Sequence, residues 1–365
     1  MAGQGGDMCA ARRSTVRAVL AVSALFLCLA ITVALACGAG SFPAPPGEVL
    51  RALAQAAGIP WGEPVDPALA VVVVDIRLAR VLLAGLAGAS LAVAGAAFQG
   101  VLRNPLADSF TLGVSGGAAF GASLAILSGI AGEAALAGEA RVLPACALAG
   151  ALAALALVLG LARAGGGPLS SLRRETVVLA GIVVSTFLSA LISLLKSLDE
   201  ESVASIVFWI MGSFQGRGFE HAQLAWPYML VGAALVFWRA RQLDLLALGE
   251  IQARMLGLDA GRARLWLLLG ASLLSGAAVA VSGVIGFVGL VVPHLVRLML
   301  GAGHARLLPA SALLGALLLI WADVVARSIL PGGAEMPVGV VTALMGGPFF
   351  CLILARRGLS RGRDA

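Results

Sequence analysis

The chain has 365 residues, of which 60 % are hydrophobic and 12 % charged, with a net charge of +6 and a mean hydropathy of +1.00. Soluble domains carry about 25 % charge, so this composition excludes disordered, collagen-like and ordinary soluble-enzyme classes and makes lipid the natural solvent. At about 20 residues per spanning helix there is room for roughly ten spans. The single lysine, Lys196, and the 24 scattered arginines form no basic stripe, which argues for a topological role rather than nucleic-acid binding.

The first apolar segment runs from about Ala18 to Cys37 behind Arg12, Arg13 and Arg17. Its length exceeds a signal-peptide core of roughly 7–15 residues, and Ala34 stands where a lipoprotein site at Cys37 would want Leu. It reads as an uncleaved transmembrane helix entering from the cytoplasm. A loop rich in Pro and Gly follows, through Pro43 to Pro67. Further helices are expected from about Leu78 to Leu102, Thr111 to Ile130, Leu143 to Ala162 and Thr176 to Leu195. Ser202 to Met211 is too short to span and is placed near the outer surface. The remaining spans are Gln223 to Trp238, Leu265 to Ser282, Val284 to Leu300, Leu308 to Ala326 and Val338 to Ala355.

The expected fold is therefore all-α: one polytopic membrane domain over 1–365, with about ten transmembrane helices. Its bundle is 18–355, its cytoplasmic tails are 1–17 and 356–365, and a polar inner segment occupies 243–261. With ten spans and an inner N-terminus, 18 of the 25 basic residues fall on the cytoplasmic side and most acids outside, as the positive-inside rule requires. In the inner segment, Leu245 to Leu256 reads as a short amphipathic helix that stops at Gly257. Such a helix can lie on the membrane or dock a soluble partner, and periodicity does not choose between them.

Small residues permit close helix approach in lipid, and Gly113, Gly117 and Gly121, like Gly283, Gly286 and Gly289, recur at packing intervals. The cysteines, Cys9, Cys28, Cys37, Cys146 and Cys351, form no C-x-x-C pair and read as small membrane residues, not metal ligands. No G-x-x-x-x-G-K-[ST] occurs, so the chain cannot hydrolyse ATP by a P-loop mechanism on its own. Gly113-Val-Ser115-Gly-Gly117 matches G-x-S-x-G, but no strand precedes it, which disfavours an intramembrane hydrolase using Ser115. Polar residues in apolar surroundings mark paths or contacts. They are Gln99, Arg103, Asn104 and Asp108; Pro293, His294 and Arg297; and Asp323 with Arg327, four apart on one helix face.

Several strings in order resemble one family, the FecCD-type permeases of ABC importers for iron chelates, haem and vitamin B12. They are Arg77-Leu-Ala-Arg80; Gly95-Ala-Ala-Phe-Gln-Gly-Val-Leu-Arg-Asn-Pro-Leu-Ala-Asp108; Leu112-Gly-Val-Ser-Gly-Gly-Ala118; and Phe208-Trp-Ile-Met-Gly-Ser213. Downstream come Leu248-Gly-Glu-Ile-Gln-Ala-Arg-Met-Leu-Gly257, Ser282-Gly-Val-Ile-Gly-Phe-Val-Gly-Leu-Val-Val-Pro-His294, Glu335-Met-Pro-Val-Gly339 and Gly346-Gly-Pro-Phe349. Ala79, Ser109, Ile251 and Met336 depart from the family pattern, which often has an acid where Ile251 stands.

The resemblance implies a type II importer permease in a bacterial inner membrane. It implies a homodimer with the path between the copies, two separate ATPase subunits below, and a periplasmic or lipid-anchored binding protein above. It assigns binding-protein docking to Arg77, Arg80 and Arg327, and ATPase coupling to Glu250, Ala253, Leu256 and Gly257. Pathway, signature or gate roles fall to Gln99, Asn104, Pro105, Gly113, Ser115, Gly116, Gly286, Gly289, Pro293 and His294. The chain then holds no cofactor or metal and performs no covalent chemistry; ATP and Mg bind the partner. The expected cargo is a ferric siderophore or haem, with cobalamin as the alternative. An ion-driven secondary transporter is the rival class, and it would need buried mid-helix carboxylates.

Overall fold

A computed structural model describes residues 3–40, 44–137, 139–165 and 172–361, with side chains from 16 to 352 apart from residue 18. The ends of both tails, 1–2 and 362–365, lie outside the described residues, as do the side chains of Arg12, Arg13, Arg356 and Arg357 that were counted as cytoplasmic.

The described residues are helical, with no strand among them. The order is α1 (Gly3–Gly38), α2 (Pro46–Ala56), α3 (Pro67–Ala70), a π-helical stretch at Val71–Leu78, α4 (Ala79–Leu102), α5 (Val114–Leu127), α6 (Ile130–Leu136), α7 (Val142–Ala164) and α8 (Arg174–Leu198). Then come α9 (Glu200–Ile210), α10 (Phe219–Trp238), α11 (Ala240–Leu248), α12 (Glu250–Met255), α13 (Ala260–Ser282), α14 (Val288–Leu300), α15 (His304–Ser328) and α16 (Val338–Arg361).

Five helices are long and apolar enough to cross a membrane: Val19–Gly38 of α1, and α7, α8, α13 and α15. A sixth span results if α5 and α6, bent by 71° at their junction, count as one. The other apolar segments of the sequence are α4, α10 and the shorter α14 and Val338–Leu352 of α16. At 1.5 Å per residue α4 is about 36 Å long.

Helix α4 is the central post. Nearly every side chain from Ala79 to Leu102 is buried, because α15, α13, α14 and α10 surround it. A helix apolar on all sides is stable only when enclosed in this way. Small residues set the close crossings. A Cβ on Gly95 would lie 1.9 Å from the Gly289 carbonyl oxygen, and one on Gly117 would lie 2.4 Å from that of Gly150. The first contact locks α4 to the first turn of α14, and the second locks α5 to α7.

Three sequence expectations change. Gly113 is a left-handed cap before α5 (φ +75°) rather than a helix-packing residue, so the close face of α5 is Gly117 and Gly121. Residues 283–287 are a turn, and α14 starts only at Val288, after Phe287 with φ +67°. The expected inner helix Leu245–Leu256 is two helices, broken at Gly249 (φ +120°, ψ +157°). The periodicity of Leu245–Leu256 continues across Gly249, whereas its backbone cannot.

Candidate functional site

At one end of the bundle, α1 and α15 finish and α4 begins. The three arginines assigned to docking meet there, although Arg327 lies some 250 positions from the other two in the chain, but they face inward. Arg77, Arg80 and Arg327 are 5, 8 and 8 % exposed. Arg80 forks onto Asp323, with Nε 3.1 and 3.0 Å from the two carboxylate oxygens and a terminal nitrogen 2.8 Å from Oδ1. Its two terminal nitrogens also reach Glu335, at 3.0 and 2.8 Å. Arg327 lies 3.7 Å from Asp323 across one helical turn and donates to the Ala36 carbonyl at 2.7 Å. Arg77 donates to the carbonyls of Cys37 and Gly38 at 3.1 and 3.4 Å.

The physical reason is the C-terminus of α1. Its last carbonyls have no intrahelical donors and carry the negative end of the helix dipole. Arg77 and Arg327 satisfy them, while Asp323 and Glu335 balance Arg80. Charge-assisted, bidentate geometry makes the fork both strong and oriented. In this conformation all three guanidinium groups are engaged inside the protein rather than displayed at its surface. Asp323 is the fully buried acid among the described residues. Both of its oxygens are engaged by arginines, Arg80 and Arg327.

At the opposite end, the signature residues form a joint. Gln99 donates to the Gly289 and Leu290 carbonyls at 3.0 and 3.4 Å, and its carbonyl accepts from Arg297. Two polar clusters nearly 200 residues apart thereby become one contact between α4 and α14. Asn104 and Pro105 form the turn after α4, where the Asn104 side chain accepts the Leu106 N–H at 3.0 Å. Asp108 accepts from the N–H groups of Phe110 and Thr111 at 3.1 and 3.0 Å. Partial burial pushes its carboxyl above the usual range, against the pull of those donors. Ser115 is buried and its hydroxyl donates to Ser109 Oγ at 2.8 Å rather than to a His or an acid, which is not the pairing of a nucleophile. A Cβ on Gly116 would meet only Leu188, at 3.9 Å, and one on Gly286 only Phe110, at 3.8 Å. Pro293 is buried within α14, with His294 half-buried beside it.

The same end carries the segment assigned to coupling. Gly257 (φ +81°) closes α12 as expected. Its N–H donates to Arg254 O at 2.9 Å and that of Leu258 to Ala253 O at 3.0 Å, the paired bonds of a Schellman stop. Glu250 is held by Arg254 at 2.8 Å and lies 3.7 Å from Arg264. Ala253, also assigned to coupling, is wholly buried and packs inside the segment rather than on its surface. The outward side chains are Leu248, Ile251, Met255 and Leu256, from 57 to 82 % exposed. Sequence reasoning passed over Ile251 and Met255. The signal was available: they stand four apart on one helix face, opposite the small Ala253.

Sequence reasoning also missed the pair that ties this segment to the bundle. His304 Nδ1 sits 2.7 Å from Asp244 Oδ1, and the same oxygen accepts the His304 N–H at 2.9 Å. Gly100 leaves room for the ring; a Cβ there would lie 2.8 Å from Nε2. Nothing in local sequence links residues 244 and 304. Among the described residues no group of three His, Cys, Asp or Glu side chains could hold a metal ion.

Residues 27–356 match the family described as the FecCD transport family. The chain is 41 % identical over 333 residues to an uncharacterized ABC transporter permease protein, YvrB, of Bacillus subtilis, covering 91 % of this chain and 92 % of the relative. It is 39 % identical to the hemin transport system permease protein HmuU of Yersinia pestis, covering 81 % and 87 %. Among solved structures it resembles an inward-facing ABC transporter of metal-chelate type, with a TM-score of 0.77 and 33 % identity over 92 % of this chain and 98 % of the other.

Proposed function

The chain belongs to the FecCD transport family, and on that premise we propose that it is the membrane path of an importer driven by separate ATPase subunits. It is a multi-pass membrane permease of the ABC importer type; its cargo, assembly and cycle are the proposed part. The observation that carries the reading is the apolar knob of Ile251, Met255 and Leu256, exposed on a polar segment that holds Arg239, Arg241, Arg254 and Arg262. Exposed apolar clusters mark contacts. This one is braced from behind by the Schellman stop, by Glu250–Arg264 and by Asp244–His304, so a push on the knob passes into α13, α11 and α15 instead of being lost in a loop.

In this reading the knob end is cytoplasmic, with both tails, and the arginine cluster is outermost, in a bacterial inner membrane. Two copies form the transporter, with a Gly- and Ala-rich path between them. A binding protein docks over the arginine cluster, and its carboxylates compete with Asp323 and Glu335 for Arg80. Such an exchange loosens the α4–α15 clamp as the cargo arrives. ATP binding in the partner then shifts the outward–inward balance, since only a difference in affinity for two states can drive a conformational change. Cofactors, ATP and Mg included, belong to the partner. The cargo is an iron chelate, siderophore or haem, with cobalamin as the alternative.

The test is capture of the ATPase. The Ile251→Glu/Met255→Glu variant keeps its fold because both positions are exposed, and it should lose the co-purifying ATPase. Full ATPase recovery with that variant refutes the assignment of the knob.

A further inference from the structure

Arg103 stands beside the α4–α14 joint and takes no part in it. It closes α4 in the left-handed conformation, with φ +49° and ψ +37°. Its N–H and that of Asn104 both donate to the Gln99 carbonyl, the second at 3.2 Å, so Arg103 occupies the C′ position of a Schellman stop. That position favours glycine, because a Cβ there crowds the neighbouring carbonyl oxygen. The stop of α12 meets the demand with Gly257, at φ +81°. At the end of α4 an arginine stands instead, at a backbone cost that glycine would remove. Strain of this kind is kept where the side chain is used.

The side chain is exposed, and among the described residues no carboxylate or other acceptor engages its guanidinium. It lies over the break between α11 and α12. A Cβ on Gly249 would stand 3.5 Å from Arg103 Nη1 and would strike Gln252 Oε1, so the bare glycine leaves room for both groups. The acids of the coupling segment are already held: Glu250 by Arg254 and Arg264, Asp259 by Arg262, and Asp244 by His304. Arg103 is thus a free guanidinium at the end of the central helix, beside the turn that opens the apolar knob of Ile251, Met255 and Leu256.

We propose that Arg103 is a second anchor for the ATPase subunit and takes a carboxylate on the rim of the surface that receives the knob. The knob supplies apolar burial. The arginine supplies orientation, because a planar guanidinium grips a carboxylate at two atoms. Since Arg103 ends α4, the contact ties the partner to the central helix without passing through α12. This rests on the reading that a separate ATPase seats on the knob, and it adds a charged contact from outside the coupling segment. A charge pair about 4 Å apart at a protein surface is worth about tenfold or more in affinity.

The test measures the affinity of the co-purifying ATPase subunit for the full chain in lipid nanodiscs, with the unfolding midpoint of each variant beside it. Arg103→Gly should weaken ATPase binding about tenfold or more. Its unfolding midpoint should equal or exceed that of the unaltered chain, because the left-handed cost is gone. Arg103→Lys keeps the charge and should retain more affinity than Arg103→Gly. The salt dependence of binding should be shallower in Arg103→Gly than in the unaltered chain. Unchanged affinity in Arg103→Gly, or an unfolding midpoint that falls in step with the affinity, overturns the anchor alone. So does a loss of affinity confined to nanodiscs that carry anionic lipid, which would assign the arginine to the membrane surface. Full ATPase recovery with Ile251→Glu/Met255→Glu overturns the knob reading, and this inference with it.

Discussion

Replacing Arg80 with Met tests whether the α4–α15 clamp is closed, as the structure has it. The variant keeps the side-chain volume and removes the charge. It leaves Asp323, whose side chain is 1 % exposed, facing only Arg327 at 3.7 Å. Breaking a buried ion pair by removing one partner costs about 3–5 kcal/mol, most of it from the carboxylate left behind. The remaining arginine holds the cost near the low end, since unit charges about 4 Å apart at an effective dielectric of about 20 still attract by about 4 kcal/mol. The expected loss is therefore about 3 kcal/mol. Adding Asp323→Leu removes the stranded charge and should return at least about 1 kcal/mol, a coupling that a double-mutant cycle isolates. The measurement is reversible unfolding in mixed micelles, followed by helical circular dichroism. A loss below about 1 kcal/mol for Arg80→Met, with no coupling to Asp323, would falsify the closed clamp and mean that the guanidinium is solvated. The same variant bears on docking: if a binding-protein carboxylate exchanges onto Arg80, stimulation of the ATPase by loaded binding protein falls as well.

Other perturbations probe separate joints. Gly117→Leu drives a side chain into the Gly150 carbonyl, so loss of folded protein is expected in detergent size-exclusion profiles, whereas Gly160→Leu, with open space at its Cβ position, should be tolerated. Gln99→Leu removes the donor to Gly289 and Leu290 and strands Arg297; a cost of about 1–3 kcal/mol is expected by the same unfolding assay, and a neutral result counts against the α4–α14 joint. Gly257→Val forces a β-branched residue into a left-handed conformation, costing about 1–2 kcal/mol, and should release the ATPase on co-purification. For Asp108, whose folded carboxyl is raised, the stability contribution is present at low pH and is lost as pH rises through the folded value. Asp108→Asn should therefore flatten the decline in stability above the ordinary carboxylate range; an unchanged pH profile would remove Asp108 from that role.

Much of the architecture was legible because it is written in local chemistry. Twenty-residue apolar runs declare spans whatever their neighbours do, since an unpaired backbone in lipid is too costly to leave unfolded. Gly257 was readable as a stop because only a residue without a side chain adopts its φ cheaply. The break at Gly249 was not readable, because a glycine inside an amphipathic pattern is tolerated about as often as it interrupts one.

Sequence alone determined the solvent, the number of apolar segments, the absence of a P-loop and the ordered motifs that mark the family. Only the tertiary structure decided which polar residues meet. Arg80 with Asp323 and Glu335, Gln99 with Arg297, and Asp244 with His304 are separated by 60 to 255 positions. Each pairing was decided by desolvation. A buried charge or amide takes the partner the packed backbone brings within 3 Å, and that geometry exists only once the helices have closed around α4. The same closure turned the three arginines inward and left Ile251 and Met255 outside.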